Sequence, residues 1–286
     1  MKIIKKISIE ELPKWSSWPA RIFGLKEWKN VQRGVGKVEQ EYNKEKYAEC
    51  LELYRKATKK PSVGEIKKFE YRDFAGKVCI SFRNKLVIVK AEDALKEYYE
   101  MILKTLTPLI KDGDAVLELG AGYGYNLDLL RKKIKKDVKF YGGEYSENAV
   151  TLGNEIFKND KNPINLEVFN FYDEEYKILE KIDRPVVLFT AHAIEQIPDI
   201  SNMFKALKKY KNKIKAVVHF EPVYELHDDS LLGMMRKAYA NAVDYSRNLM
   251  SELKKNEDIK VLSVKPDFLG YNPLNSTSVI KWQYKK

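Results

Sequence analysis

Cysteine and arginine are both scarce in this chain, and each scarcity removes a class of explanation. The two cysteines, Cys50 and Cys79, stand far apart in 286 residues. They have neither metal-ligand nor redox spacing, so a disulfide framework is excluded and a reduced, cytoplasmic setting is expected. Arginine numbers nine against 43 lysines. Readers of nucleic acid and phosphate favour the planar arginine fork. The net charge of +11 therefore reads as a lysine-biased, solvated surface, and nucleic acid is not the expected partner. A weaker reading is that the charge draws in an anionic small molecule. Long apolar runs are also missing. No stretch approaches the roughly 20 residues that a spanning helix needs, and Met1 to Ile7 carries no leader signature. No membrane partner is expected. The length suits one large domain, or one domain with an appendage, and can bury a core without disulfides.

The centre of the sequence is Val116-Leu117-Glu118-Leu119-Gly120-Ala121-Gly122-Tyr123-Gly124-Tyr125-Asn126. A buried strand runs into a glycine turn and then into the helical pattern Leu127, Leu129, Leu130, Ile134. Glycine permits positive φ and a close ligand approach. A turn that opens a helix is expected to present free N–H groups and the positive end of the helix dipole. The pattern is Glu-x-Gly-x-Gly-x-Gly, not the dinucleotide fingerprint G-x-G-x-x-G. Glu118 would repel a pyrophosphate but suits an amino group or a sulfonium. A second acid, Glu144, lies 20 residues after Gly124 and ends the next strand, where a carboxylate can accept both ribose hydroxyls. It can also serve as an N-terminal charge for the helix starting near Ser146.

With these two acids and the glycine turn, the chain resembles the class I S-adenosylmethionine-dependent methyltransferases. The resemblance implies an α/β fold: a Rossmann-like seven-stranded sheet with an antiparallel last strand, carrying an N-terminal helical and hairpin appendage. Strands are expected at Ala115–Leu119, Val138–Gly143, Ile164–Phe169, Pro185–Ala191, Ile214–Phe220, Ile259–Lys265 and Ser276–Trp282. Helices are expected near Tyr125–Lys136, Glu147–Lys158, Asp173–Leu179 and Met203–Tyr210, with a long one from Asp229 to Lys255. Strands alternating with helices give a parallel sheet with its ligand edge at the strand C-termini. Residues 1–108 form the expected appendage, which would cap the active site, and 109–286 the cofactor domain. In the appendage, Trp15, Trp18, Phe23 and Trp28 suggest an aromatic-anchored segment. Val38 to Lys59 reads as an amphipathic helix with Tyr42, Lys46, Cys50 and Leu53 near helical spacing. Lys77–Phe82 and Leu86–Val89 flank a polar turn, as a hairpin does. Ala91 to Thr107 is a helix ending before Pro108.

The resemblance also implies site roles, with S-adenosyl-L-methionine as cofactor. Glu118, Gly120, Ala121, Gly122, Tyr125, Asn126, Glu144 and Tyr145 are the expected cofactor residues of the first two strand ends. Tyr98 is a candidate for the cofactor carboxylate, or an edge residue of the core. Asn170 and Phe171 end the third strand at the adenine position, although the family's usual acid there is replaced by Asn170. His192 and Glu195 end the fourth strand, near the sulfonium and the acceptor. His192 is a candidate general base, oriented by Glu195, because imidazole titrates near neutrality. In many relatives a histidine here is only a cofactor-side or structural contact. Glu221, Tyr224 and His227 after the fifth strand are candidates for acceptor binding, and His219 for a structural role. Histidine and carboxylates together can hold a metal, but no H-x-x-x-H accompanies them and none is expected. The strings Thr190–Gln196 and Glu221–Leu226, with Arg247-Asn248 and Asn272-Pro273, look similar to small methyltransferases encoded among bacterial surface-polysaccharide genes. That implies O-methylation of a sugar, sugar nucleotide or phosphoramidate precursor of a capsule. The alternatives are an RNA methyltransferase and a non-catalytic cofactor-binding protein.

Overall fold

The computed structural model describes residues 1–29 and 35–285. The N-terminal layer comprises β1 (Lys5–Lys6), α1 (Trp18–Ile22), α2 (Val35–Val38), α3 (Ala48–Lys56) and α4 (Val63–Glu70). Between α2 and α3 the chain makes a π-helical stretch, Glu39–Tyr47. The expected single helix from Val38 to Lys59 is therefore a π segment followed by a shorter α-helix. The helix α4 went unread in the sequence, yet it opens with a full capping box, Ser62 and Glu65 exchanging side-chain and backbone hydrogen bonds. The expected hairpin is present as β2 (Lys77–Phe82) and β3 (Lys85–Lys90), followed by α5 (Ala91–Leu106).

From Ala115 the chain alternates as expected: β4 (Ala115–Leu119), α6 (Tyr125–Lys133), β5 (Lys139–Glu144), α7 (Glu147–Phe157), β6 (Ile164–Val168), β7 (Val186–Ala191), α8 (Ser201–Lys208) and β8 (Ile214–Glu221). It ends with α9 (Leu231–Ala242), α10 (Leu249–Lys255), β9 (Ile259–Gly270) and β10 (Thr277–Tyr284). Every residue of β4 is buried, as in a strand covered by helices on both faces. The strands β8, β7, β4, β5 and β6 run parallel, and β10 is antiparallel to β8 and β9. One core cluster joins one sheet face to residues of α3 to α7; the other includes α8, α10 and Trp282 of β10.

Three expectations need correction. The sheet has ten strands among the described residues, in the order β1-β3-β2-β9-β10-β8-β7-β4-β5-β6, not seven. The seven expected strands are β4 to β10. The hairpin adds to them, Ser81 and Phe82 pairing with Gly270 and Leu269, and β1 pairs with β3. This pairing partners the backbone groups that β9 would otherwise leave open as an edge, and it crosses the expected division at residue 108. Second, Asp173–Leu179 is not an α-helix but ends in a short 3-10 turn, Lys177–Leu179. Third, the long helix from Asp229 is broken. Asp244 takes a left-handed φ of 55°, the Ser246 N–H turns to the Glu195 carbonyl, and the Glu225 carboxylate accepts the N–H groups that start α10.

Candidate ligand site at the strand ends

The turn after β4 is left-handed at Gly120 (φ 80°) and Gly122 (φ 54°). A Cβ at Gly120 would stand 2.2 Å from the Ala193 Cβ, and one at Gly122 would stand 2.7 Å from the Tyr47 hydroxyl. Glycine is required at both for backbone and for space. Three N–H groups early in the turn are taken by neighbouring acceptors, while no side chain caps the start of α6. Gly120 and Ala121 donate to the Gly143 carbonyl, and Gly122 donates to Glu144 Oε2 at 2.8 Å. The turn therefore offers a close backbone approach beside the uncapped start of α6.

Glu118 and Glu144 end neighbouring parallel strands and are 1 % and 8 % exposed. Asn126 donates to Glu118 Oε1 at 2.7 Å, while Glu118 Oε2 is buried with no hydrogen-bond partner in the structure. Burial pushes the Glu118 carboxyl up to about 8, against the Asn126 hydrogen bond and the Lys67 charge. Glu144 is also raised by burial, although Ser146 and Gly122 donate to it. Each Glu144 oxygen keeps further acceptor capacity.

The two acids open onto a cavity of about 360 Å³, within the range of small-molecule sites. Its wall brings together Tyr98, Glu118, Gly120, Ala121, Gly122, Tyr125, Asn126, Glu144, Tyr145, Asn170, Phe171, His192 and Glu195. His192 has a left-handed φ of 53°, a conformation uncommon outside glycine. Its Nδ1 lies 2.9 Å from Glu195 Oε2 and its Nε2 lies 2.6 Å from Thr277 Oγ1. Burial lowers the affinity of His192 for a proton, but the Glu195 carboxylate, its hydrogen bond and Glu221 outweigh it and leave the pKa raised. Tyr98 packs its ring 6.0 Å from that of His192.

Glu221, Tyr224 and His227 are not on this wall. Glu221 is buried beneath it and accepts the N–H groups of Ala193, Ile194 and Glu195, so it shapes the His192 loop. Burial, then the charge of Glu195, raises its pKa. His227 pairs with Asp267, which also binds the buried Arg236. Tyr224 packs with the cluster around Leu12 and Tyr239. His219 is fully buried between Thr190 and Trp282. Burial pushes its pKa down to about 3. Among the described residues no group of three or more histidines, cysteines or carboxylates could hold a metal.

Sequence reasoning expected the appendage to cap the site but named no site residue in it before Tyr98. Tyr42, Lys46, Tyr47, Lys67, Glu70 and Tyr71 all line the cavity. Glu70 accepts from Lys67 at 2.8 Å and from the Tyr123 hydroxyl at 2.9 Å, and pairs with Lys46 at 2.7 Å. Burial would raise Glu70, but the two lysines override it and hold the carboxyl down near 2. Ten of the eighteen tyrosines face this one space. The helical spacing of Tyr42 and Lys46 was the signal available, but it points equally to ordinary packing.

The fold is thus an α/β sheet, mixed at one side, with a ligand-sized cavity at the C-terminal ends of its parallel strands. No family model and no curated protein matches the chain. Solved structures that it resembles include a geranyl diphosphate methyltransferase in complex with GPP and sinefungin. That pair is 12% identical over 66% of this chain and 77% of that one, with a TM-score of 0.46. A SAM-dependent methyltransferase from Aquifex aeolicus is 19% identical over 64% of this chain and 89% of that one, at 0.42. An O-methyltransferase from Bacillus cereus in complex with SAH is 12% identical over 66% and 81%, at 0.45. Likenesses this distant carry no argument about activity; the chemistry has to come from the cavity's own residues.

Proposed function

We propose that this chain is an S-adenosylmethionine-dependent methyltransferase acting on a small-molecule acceptor, with residues 1–108 forming a layer that caps the cavity. The observation that carries the reading is the pair of buried acids around the glycine turn, one of them with an orphaned oxygen. An unpaired buried carboxylate oxygen is costly, and a cationic ligand group removes that cost. The cofactor supplies an amino group and a sulfonium for Glu118 and two ribose hydroxyls for Glu144, and the residues present fit it. Asn170 and Phe171 would border the adenine. When bound, the cofactor supplies an electrophilic methyl group.

The chain's own contribution is alignment and proton handling. Holding donor and acceptor in line supplies most of the rate gain in such reactions. The Glu195 carboxylate fixes the His192 ring from the Nδ1 side. The Nε2 side faces Thr277, and an acceptor hydroxyl that displaces this contact would give up its proton there. The acceptor class implied by the surface-polysaccharide resemblance rests on sequence strings alone. A nicotinamide dehydrogenase is disfavoured by Glu118, which would oppose a pyrophosphate.

Calorimetric titration with S-adenosylhomocysteine, with NADH as comparison, tests the reading. Micromolar binding of the first alone is the expected result. Binding of NADH instead would overturn the roles given to Glu118 and Glu144.

A further inference from the structure

Beyond the two acids and His192, the cavity continues as a slot walled by tyrosine. From His192 the rings follow in sequence: Tyr98 at 6.0 Å, Tyr271 at 5.2 Å from Tyr98, and Tyr71 at 6.2 Å from Tyr271. The slot ends at the Lys67 ammonium, 4.6 Å from the Tyr71 ring centre and 5.0 Å from that of Tyr125. We propose that this slot takes an acceptor with a flat or apolar body and an anionic end, and that Lys67 pairs with the anion. The proposal rests on the methyltransferase reading for calling the occupant an acceptor, and it deepens that reading by naming the chemical class.

Three observations support it. Lys67 and Lys46 share a single carboxylate, Glu70, whose side chain is 4 % exposed. Two cations contact this one anion at the slot's end, and an ammonium has three donors of which Glu70 takes one. Low-dielectric surroundings make an anion there worth more than one in water. Next, Tyr271 lines the slot and its buried hydroxyl has no hydrogen-bond partner in the structure, a cost that a polar group on the occupant would relieve. Finally, tyrosine rings offer large apolar faces with polar tips, which suits a body that is flat and carries a hydroxyl. Of the nearby carboxyls, Glu118, which feels the Lys67 charge, is turned to Asn126, and Glu144, which feels the Lys46 charge, accepts the N–H groups of Gly122 and Ser146.

The test uses the full chain and two probes alike in shape, 4-hydroxycinnamate and its carboxamide, titrated with and without saturating S-adenosylhomocysteine. The acid should bind about tenfold tighter or more than the amide. Lys67→Met should bring that ratio close to one, and Lys67→Arg should restore most of it. The ratio in the unmodified protein needs no variant to fold. A ratio near one there, failure of both probes to bind, or a Lys67→Met variant that loses S-adenosylhomocysteine affinity and keeps the acid preference, each overturns the proposal. Failure of S-adenosylhomocysteine to bind at all counts against the methyltransferase reading alone, because the probe ratio is also read without it.

Discussion

Replacing Glu118 with glutamine should stabilise the ligand-free protein and disable it. The carboxyl is 1 % exposed and is pushed up to about 8, with burial outweighing Asn126 and Lys67. In the unfolded chain it titrates at about 4.3. Between those two values the folded protein holds a proton that the unfolded chain has released. Stability must then fall as pH rises through this window, the reverse of an ordinary salt-bridged carboxylate. At ~1.4 kcal/mol per pH unit the cost grows to about 5 kcal/mol near pH 8. Glutamine keeps an oxygen for Asn126 and never ionises. Glu118→Gln should therefore match the parent near pH 4 and become progressively more stable towards pH 8. Urea denaturation of both proteins across this range reads the difference directly, since other titrating groups cancel to first order. Saturating S-adenosylhomocysteine should reverse the order at pH 8, because only the parent offers its amino group a carboxylate. A stability difference that stays flat with pH would refute the reasoning, since Glu118 would then ionise in the folded chain as an ordinary carboxyl does.

Other perturbations probe separate links. Gly120→Ala meets both a left-handed φ and the Ala193 Cβ, and should cost roughly 2–5 kcal/mol in chemical denaturation. Gly113→Ala, with a φ of 81° but nothing within 4 Å, should cost only about 1–2 kcal/mol; equal losses would show that the Ala193 contact relaxes freely. Arg236→Met leaves Asp267 buried beside His227 without its guanidinium, and a loss of about 3–5 kcal/mol is expected by the same measurement. If His192 is the base, methyl transfer should rise with pH along a limb above the ordinary histidine range, because its pKa is raised and only the neutral ring accepts a proton. His192→Gln should then lower turnover roughly 10²–10⁴-fold at saturating cofactor, and unchanged turnover would assign the ring a positioning role.

How much of the fold was legible in the sequence depends on the distance over which each signal acts. The strands β4 to β8 were readable because each is a short apolar run with a turn beside it, and both acids were readable because they sit at fixed offsets from the glycines. Strand β9 was read five residues short, ending at Lys265 rather than Gly270. Its second half is set by pairing with β10 and with the hairpin, a partner nearly 190 residues away in sequence. The break between α9 and α10 was hidden for the same reason: it depends on Glu195 and Glu225 receiving backbone N–H groups from a pattern that is otherwise helical. Glu221, Tyr224 and His227 lay in a loop dense with polar residues after a strand end. Nothing local distinguishes a carboxylate that faces a ligand from one that caps a neighbouring loop.

The N-terminal layer gives the converse case, a region with no ligand-binding motif that nevertheless lines the cavity. Besides the Arg55–Glu155 pair on α7, three of its attachments fall at loops that carry one of the two acids or the glycines. Asn43 accepts from the Ser146 hydroxyl and the Asn148 N–H, next to Glu144. The Tyr47 hydroxyl covers Gly122. Glu70 receives the hydroxyl of Tyr123 from within the glycine turn itself. Because the same loops bind this layer and line the cavity, docking of the layer and occupancy of the cavity share one free energy. A ligand that favours the docked layer should in turn be held more tightly when the layer is docked, and a substitution that loosens the layer beside Glu144, such as Asn43→Ala, should weaken S-adenosylhomocysteine in a calorimetric titration. The absence of a binding motif in residues 38–71 is then what this arrangement predicts. These residues answer to the shape of the loops beneath them and to the acceptor proposed for the cavity, and neither imposes a fixed spacing of ligand-binding residues on the chain.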